Sequence, residues 1–250
     1  MALSGIEIFK QLPKTNCKEC DFPTCLAFAM SLSQGKSELE QCPHVSDEAK
    51  AMLSEASEPP IRTVSIGANG SAVKVGGETV AFRHEKTFVN HPPLAILVTD
   101  GMDDGEVDAR LGKMEQLQYD RVGLTLRPEM VAVQETQGDA DKFAGLVGKV
   151  VASGCGMVLI SSNADVLAAG LKACDGQKPL LYGANKDNAD QIGGLAKENG
   201  CPVGVKGDGI DELMEVTEKL TGMGLKDLVI DSGARSLGAA LKDQIAIRRA

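Results

Sequence analysis

The sequence predicts an α/β protein in two parts: a small helical module built around four cysteines, then a run of βα units of the kind that forms a TIM (βα) barrel or a doubly wound sheet. Three observations predict it. Cys17, Cys20, Cys25 and Cys42 fall at spacings x2, x4 and x16, whereas the 208 residues after Cys42 hold only Cys155, Cys174 and Cys201. From residue 94 onward, short continuous apolar runs alternate six times with amphipathic stretches, and strands of that texture are buried on both faces in a parallel sheet. Between the two parts, Glu58-Pro59-Pro60 reads as a boundary that divides 1–58 from 59–250.

The module is taken first. Ser4 followed by Glu7 is a capping box, which starts a short helix through Leu12, and Pro13 stops it. The loop 14–23 carries Cys17 and Cys20. Thr24 caps a second helix, from Cys25 to about Gln34, with Leu26, Phe28, Ala29 and Leu32 as its apolar positions and Gly35 as its end. Ser46 caps a third helix, 47–56, with acidic residues in its first turn. A module this small and this poor in bulky apolar groups needs a staple, and a metal held by thiolates would be one.

Residues 61–66, 72–75, 79–82 and 87–89 alternate like strands, joined by glycine-rich turns, and predict a hairpin or small meander. The βα units then follow: strands at 94–99, 121–126, 157–161, 179–182, 203–206 and 227–230, with helices at 103–118, 139–153, 165–174, 187–199, 211–222 and 235–248. A complete barrel has eight units. Six units lead to the expectation of an amino-terminal portion of a longer polypeptide; an open sheet is the alternative. The glycines of Gly204-Val-Lys-Gly-Asp-Gly209 are at the wrong spacing for a dinucleotide fingerprint and read as a strand-to-helix turn.

Composition narrows the function classes. The formal net charge is −9 over 250 residues, so nucleic acid is not expected as a partner. Trp is absent and aromatics make up 3% of the chain, so stacking platforms are scarce. No apolar run is long enough to span a membrane, and the amino terminus lacks the pattern of a signal peptide. A cytoplasmic setting keeps thiols reduced, so metal binding is favoured over disulfides.

Three close cysteines and one distant one suit an iron–sulfur cluster, and Pro43 follows the last as a proline does in bacterial ferredoxins. Structural zinc competes, but zinc usually takes two paired C-x2-C knuckles and only one pair is present. Cys155, Cys174 and Cys201 read as small buried hydrophobes. His44 is read as a surface or supporting residue beside the cysteines, and His84 and His91 as loop residues; none forms a zinc or triad spacing. Chemistry in a βα barrel sits at the strand ends. Here these are Thr99-Asp100, 125–127, 161–163, 183–185, 206–208 and 231–235, composed of residues that also make ordinary turns and caps. No nucleophile with its base stands out, so the barrel reads as a docking scaffold.

The opening Gly5-Ile-Glu-Ile-Phe-Lys-Gln-Leu-Pro-Lys-Thr-Asn-Cys17, the segment Phe22-Pro-Thr-Cys25-Leu-Ala-Phe-Ala-Met30 and Cys42-Pro43 resemble the large (gamma) subunit of the corrinoid iron–sulfur protein. Further matches are Phe82-Arg-His84, Asp120-Arg-Val-Gly123, Lys178-Pro-Leu-Leu-Tyr182, Leu195-Ala-Lys-Glu-Asn199-Gly-Cys-Pro202 and Leu228-Val-Ile-Asp231-Ser-Gly-Ala-Arg235. The resemblance covers essentially the whole chain. It implies a small helical 4Fe-4S domain, a TIM barrel (here with about six of eight units) and a later cobalamin-binding domain that this chain does not reach, so no cobalamin contacts are assigned. It also implies a methyl carrier, rather than a stand-alone enzyme, in the reductive acetyl-CoA (Wood–Ljungdahl) pathway. Such a carrier takes a methyl group from methyltetrahydrofolate through a methyltransferase and delivers it to CO dehydrogenase/acetyl-CoA synthase. Its other partner is the small subunit of the corrinoid iron–sulfur protein. Cys17, Cys20, Cys25 and Cys42 fall on the family's cluster ligands, and the cluster's task is to return inactive Co(II) to Co(I). Residues 1–58 hold five Lys or Arg against nine Asp or Glu, and negative charge near a cluster lowers its potential, the direction this task needs. The Pro59-Pro60 linker is expected to let the module move. The competing readings are a plain electron-transfer subunit and a pterin-dependent methyltransferase barrel with a structural metal.

Overall fold

The computed structural model describes residues 4–33, 37, 39–46, 48–50, 52–53, 61–68, 70, 72–78 and 89–249. The chain divides into two compact units, Met1–Ile61 and Arg62–Ala250. Expected strands at 79–82 and 87–88, His84, the end of the third helix and the Glu58-Pro59-Pro60 boundary lie outside the described residues.

In the first unit, α1 (Gly5–Gln11) starts at the expected capping box: the Ser4 hydroxyl accepts from the Glu7 N–H, and the Ser4 N–H donates back to the Glu7 carboxylate. Helix α2 (Cys25–Ser33) is capped by Thr24, whose hydroxyl accepts from the Ala27 N–H at 3.1 Å. A 3-10 turn (Leu39–Gln41) leads into Cys42. Ser46 accepts from the Ala49 N–H and opens the third helical stretch. The core of this unit is small. Besides Ile8, Leu12, Phe28, Val45 and Leu53 it is built from alanines and from the side chains of Cys20, Cys25 and Cys42.

The second unit opens with an antiparallel hairpin, β1 (Val64–Ile66) and β2 (Val73–Val75). Six parallel strands follow: β3 (Ala95–Thr99), β6 (Met130–Gln134), β7 (Gly156–Ile160), β8 (Leu180–Ala184), β9 (Val203–Lys206) and β10 (Leu228–Asp231). Each is followed by a helix: α3 (Asp104–Gln116), α4 (Ala140–Val151), α5 (Ala164–Ala173), α6 (Ala189–Asn199), α7 (Ile210–Gly222) and α8 (Leu237–Arg249). The strands lie side by side strictly in chain order. A doubly wound sheet reverses its order at a switch point and carries helices on both faces. Here the helices pack on one face, over Val131, Val133, Leu159, Leu181 and Val205. The other face, with Met130, Ala132, Val158 and Leu180, is covered by Val64 and Ile66 of the hairpin. This is the arrangement of an incomplete TIM (βα) barrel, six units in a row with its β3 and β10 edges unpaired among the described strands. At the β3 edge the Arg110 guanidinium donates to the Leu97 carbonyl at 2.7 Å, the kind of blocking that keeps an edge from recruiting a foreign strand.

One expectation is corrected. The stretch 121–126 is not the second barrel strand. It belongs to a separate antiparallel hairpin, β4 (Tyr119–Arg121) and β5 (Leu124–Leu126), whose residues are all exposed. Val122 (φ 50°) and Gly123 (φ 76°) form its turn, both with the positive φ that a two-residue hairpin requires. The barrel strand is β6, Met-Val-Ala-Val-Gln, which is buried along nearly its whole length. Its end at Gln134 replaces 125–127 among the strand ends facing the barrel mouth.

Candidate metal centre

The loop between α1 and α2 is built from residues of alternating hand. Lys14 (φ 60°), Asn16 (φ 50°), Lys18 (φ 68°) and Asp21 (φ 63°) are left-handed without being glycine, and Thr15 and Cys17 between them are not. Residues alternating in this way turn their N–H groups toward one concave side, a backbone form that receives anions, iron–sulfur clusters among them. Such strain in non-glycine residues persists only where the surroundings enforce it. Asn16 supplies part of that enforcement: its Oδ1 accepts from the Cys25 N–H at 2.8 Å, and its own N–H donates to Cys25 Sγ at 3.4 Å. That clasp ties the loop carrying Cys17 to the first residue of α2. Cys25 thereby sits at a helix amino terminus, its side chain buried.

Cys20, Cys25 and Cys42 are buried, and Cys17 is exposed. Burial pushes the Cys42 thiol up, the thiols of Cys20, Cys17 and Cys25 push it further, and the His44 N–H opposes them. Three thiols close enough to raise the proton affinity of Cys42 make, with it, a group that a cation would hold together, with release of protons. The spacing bears on which cation. Tetrahedral zinc at Zn–S of about 2.3 Å brings its sulfurs to about 3.8 Å from one another. Among the described residues one set gathers three ligand atoms within 4.8 Å, namely Cys17, Glu19 and His44. One of the four cysteines, Cys17, belongs to that set. Within the tight set, His44 Nε2 and Glu19 Oε2 already bond each other at 3.0 Å, both exposed. They make a polar rim beside exposed Cys17, as expected for His44. Sequence reasoning missed Asn16; the available signal was Asn, tolerant of left-handed backbone, beside the first cysteine.

The other candidates are placed as follows. Cys174 and Cys201 are buried in the barrel core, and burial pushes their thiols up to about 12 and about 11. Cys155 is half-buried. His91 bonds Glu129 at 2.8 Å on the surface. Gly204–Gly209 is a strand-to-helix turn between β9 and α7.

At the barrel mouth the polar strand ends bond one another. Asp100 accepts from the N–H and hydroxyl of Thr136, and Asn188 holds the carbonyls of Ser162 and Gly183. Asp231 accepts from the Tyr182 hydroxyl (2.5 Å), Arg235 Nη2 (3.0 Å) and the Gly233 N–H (2.8 Å). Burial alone would raise the Asp231 carboxyl, but these donors outweigh it and hold its pKa at about 2. Burial, then Asp231, pushes Tyr182 up to about 12. A depressed carboxyl stabilises the fold above its unfolded pKa of about 3.9 and loses that contribution as pH falls. We expect Asp231→Asn to remove a stability loss between about pH 4 and about pH 2 in acid unfolding followed by circular dichroism. An unchanged acid limb would contradict the bonding described.

Comparison with known proteins accords with this architecture. The family model described as CO dehydrogenase/acetyl-CoA synthase delta subunit matches residues 63–250. The chain belongs to this family. A second family model, FeS, named for an Fe-S cluster, matches residues 12–44, the segment that holds all four cysteines. The chain is 43% identical over 250 residues to "Corrinoid/iron-sulfur protein large subunit" of Moorella thermoacetica, covering 100% of this chain and 56% of the relative. It is 38% identical over 257 residues to "Acetyl-CoA decarbonylase/synthase complex subunit gamma 2" of Methanosarcina thermophila, covering 99% of this chain and 55% of that protein. It is 28% identical over 253 residues to the corresponding gamma subunit of Methanothermobacter thermautotrophicus. The chain thus spans about half the length of the curated relatives it matches, and the family resemblance read from its sequence holds. No helix among the described residues is long and apolar enough to cross a membrane.

Proposed function

We propose that this chain acts as the large subunit of a corrinoid iron–sulfur methyl carrier, with Cys17, Cys20, Cys25 and Cys42 as the ligands of a 4Fe-4S cluster in residues 1–58. The observation that carries this reading is that Cys17 and Cys20, on the loop of alternating hand, lie with Cys25 close enough to Cys42 to raise its pKa. A cluster bound there supplies single electrons at low potential, which in a corrinoid carrier return cobalt from inactive Co(II) to nucleophilic Co(I). The chain's own residues set the conditions. Buried Cys20, Cys25 and Cys42 keep water from three sides, and exposed Cys17 marks the side where electrons enter and leave. The surplus of acidic residues in 1–58 disfavours the added electron and lowers the potential. Residues 59–250 form the barrel, whose mouth is occupied by structural bonds. Its role in this reading is to dock the small subunit of the carrier, the methyltetrahydrofolate-linked methyltransferase and CO dehydrogenase/acetyl-CoA synthase, in the cytoplasm.

The test is anaerobic electron paramagnetic resonance of the dithionite-reduced chain, with iron and sulfide analysis. The expected result is a spin-half signal with about four irons per chain. One zinc and no iron would overturn the electron-transfer role.

A further inference from the structure

A cavity of about 630 Å³ opens at the amino-terminal ends of β3, β6 and β7, the end of the barrel opposite its mouth. Val73, Leu111, Met114 and Pro128 give it an apolar lining, and Lys74 and Arg127 bring positive charge to it. Neither cation has a hydrogen bond or ion pair with any described residue. The one carboxylate lining the cavity, Glu129, is bonded to His91. In a chain with 35 acidic residues against 26 basic ones, two cations without a partner among the described residues, at one cavity of mixed polar and apolar lining, concentrate positive charge there. The β4–β5 hairpin explains how Arg127 comes to be there. The hairpin is inserted between α3 and β6, and Arg127 leaves its open end one residue past Leu126, directly over the cavity.

We infer that this cavity is a binding site for an amphipathic organic anion, with a carboxylate, sulfonate or phosphate head held between Lys74 and Arg127 and an apolar body against Val73, Met114 and Pro128. The volume falls within the range of about 300–1,000 Å³ usual for small-molecule sites. An apolar wall with a few convergent charges is the usual composition of such sites. Barrel chemistry belongs to the carboxyl ends of the strands, so a ligand here binds without reacting. Cys155, half-buried in the same cavity, reports on its occupancy.

The experiment uses the full 250-residue chain, held anaerobically, with 8-anilinonaphthalene-1-sulfonate as the probe, an aromatic body bearing one anionic head. Calorimetry is expected to show one saturable site. Lys74→Gln and Arg127→Gln should each weaken binding about tenfold, the worth of a charge-assisted contact. At saturation the probe should slow alkylation of Cys155 by iodoacetamide at least about fivefold, read by mass spectrometry of the Cys155 peptide. Two results would overturn the inference: binding unchanged in both variants, or Cys155 alkylated at the same rate with and without probe. Binding lost in Leu124→Ser, with Cys155 still unprotected, would place the probe on the exposed hairpin and overturn it equally.

Discussion

Replacing Cys42 with Ala will strip the chain of iron and unfold the unit Met1–Ile61, while the unit Arg62–Ala250 keeps its fold. Among the described residues, three of the ten buried ones in the small unit's core are the cysteines Cys20, Cys25 and Cys42, and Phe28 is the one large, fully buried side chain. So few apolar groups do not offset the entropy of ordering the unit. Its left-handed residues Lys14, Asn16, Lys18 and Asp21 add strain that the rest of the unit must offset. Where a site forms only with the fold, the free energy of binding is free energy of folding. The expected loss is from about four irons per chain to less than about one. Helical protection should disappear from α1 and α2 in hydrogen exchange, with β6, β7 and β8 still protected. A Cys42→Ala chain that keeps its iron and its exchange protection would remove Cys42 from the ligand set.

Gly183→Ala should be a strongly damaging small substitution in the barrel. Gly183 sits in β8 at φ 126°, outside the region open to residues with a side chain. It lies where the pairing of β8 with β9 shifts register between Tyr182 and Ala184. A Cβ there would stand 2.5 Å from the Ser161 carbonyl oxygen, and that atom is backbone, so it cannot turn aside. Backbone strain and forced contact together destabilise by about 4 kcal/mol. In a unit of this size that lowers Tm by roughly 10 °C. Asn188, which donates to the Gly183 carbonyl, would lose its geometry as well. Thermal unfolding of the variant within about 2 °C of the parent would show that the strand yields there.

These two positions differ in how legible they are. The cysteine spacing stands in the sequence, and so do the capping box at Ser4–Glu7 and the six βα units, because each is a local pattern with a local cause. The register shift at Gly183 follows from how three strands meet, and no neighbouring residue announces it. The misplaced second strand has a similar origin. Arg-Val-Gly-Leu-Thr-Leu alternates like a strand, and valine is a poor marker for a turn that needs positive φ. Met130–Gln134 is the continuous apolar run that a doubly covered strand requires. At the candidate metal centre the four cysteines and their spacing were legible, while the alternating hand of the loop and the Asn16 clasp were not. Lys adopts left-handed backbone only where a fold obliges it to, and Asn and Asp, though tolerant of it, do not announce it.

The side-by-side order of the barrel strands bears on how the chain is made. Each βα unit pairs with the one synthesised just before it, so the sheet can lengthen by one unit at a time as the polypeptide emerges, in the manner of a solenoid. No unit from β3 to α8 must wait for a distant stretch before it finds a neighbour, and loop-closure entropy stays small at every step. The long-range cost falls instead on the β1–β2 hairpin, which reaches across to Met130, Val158 and Leu180.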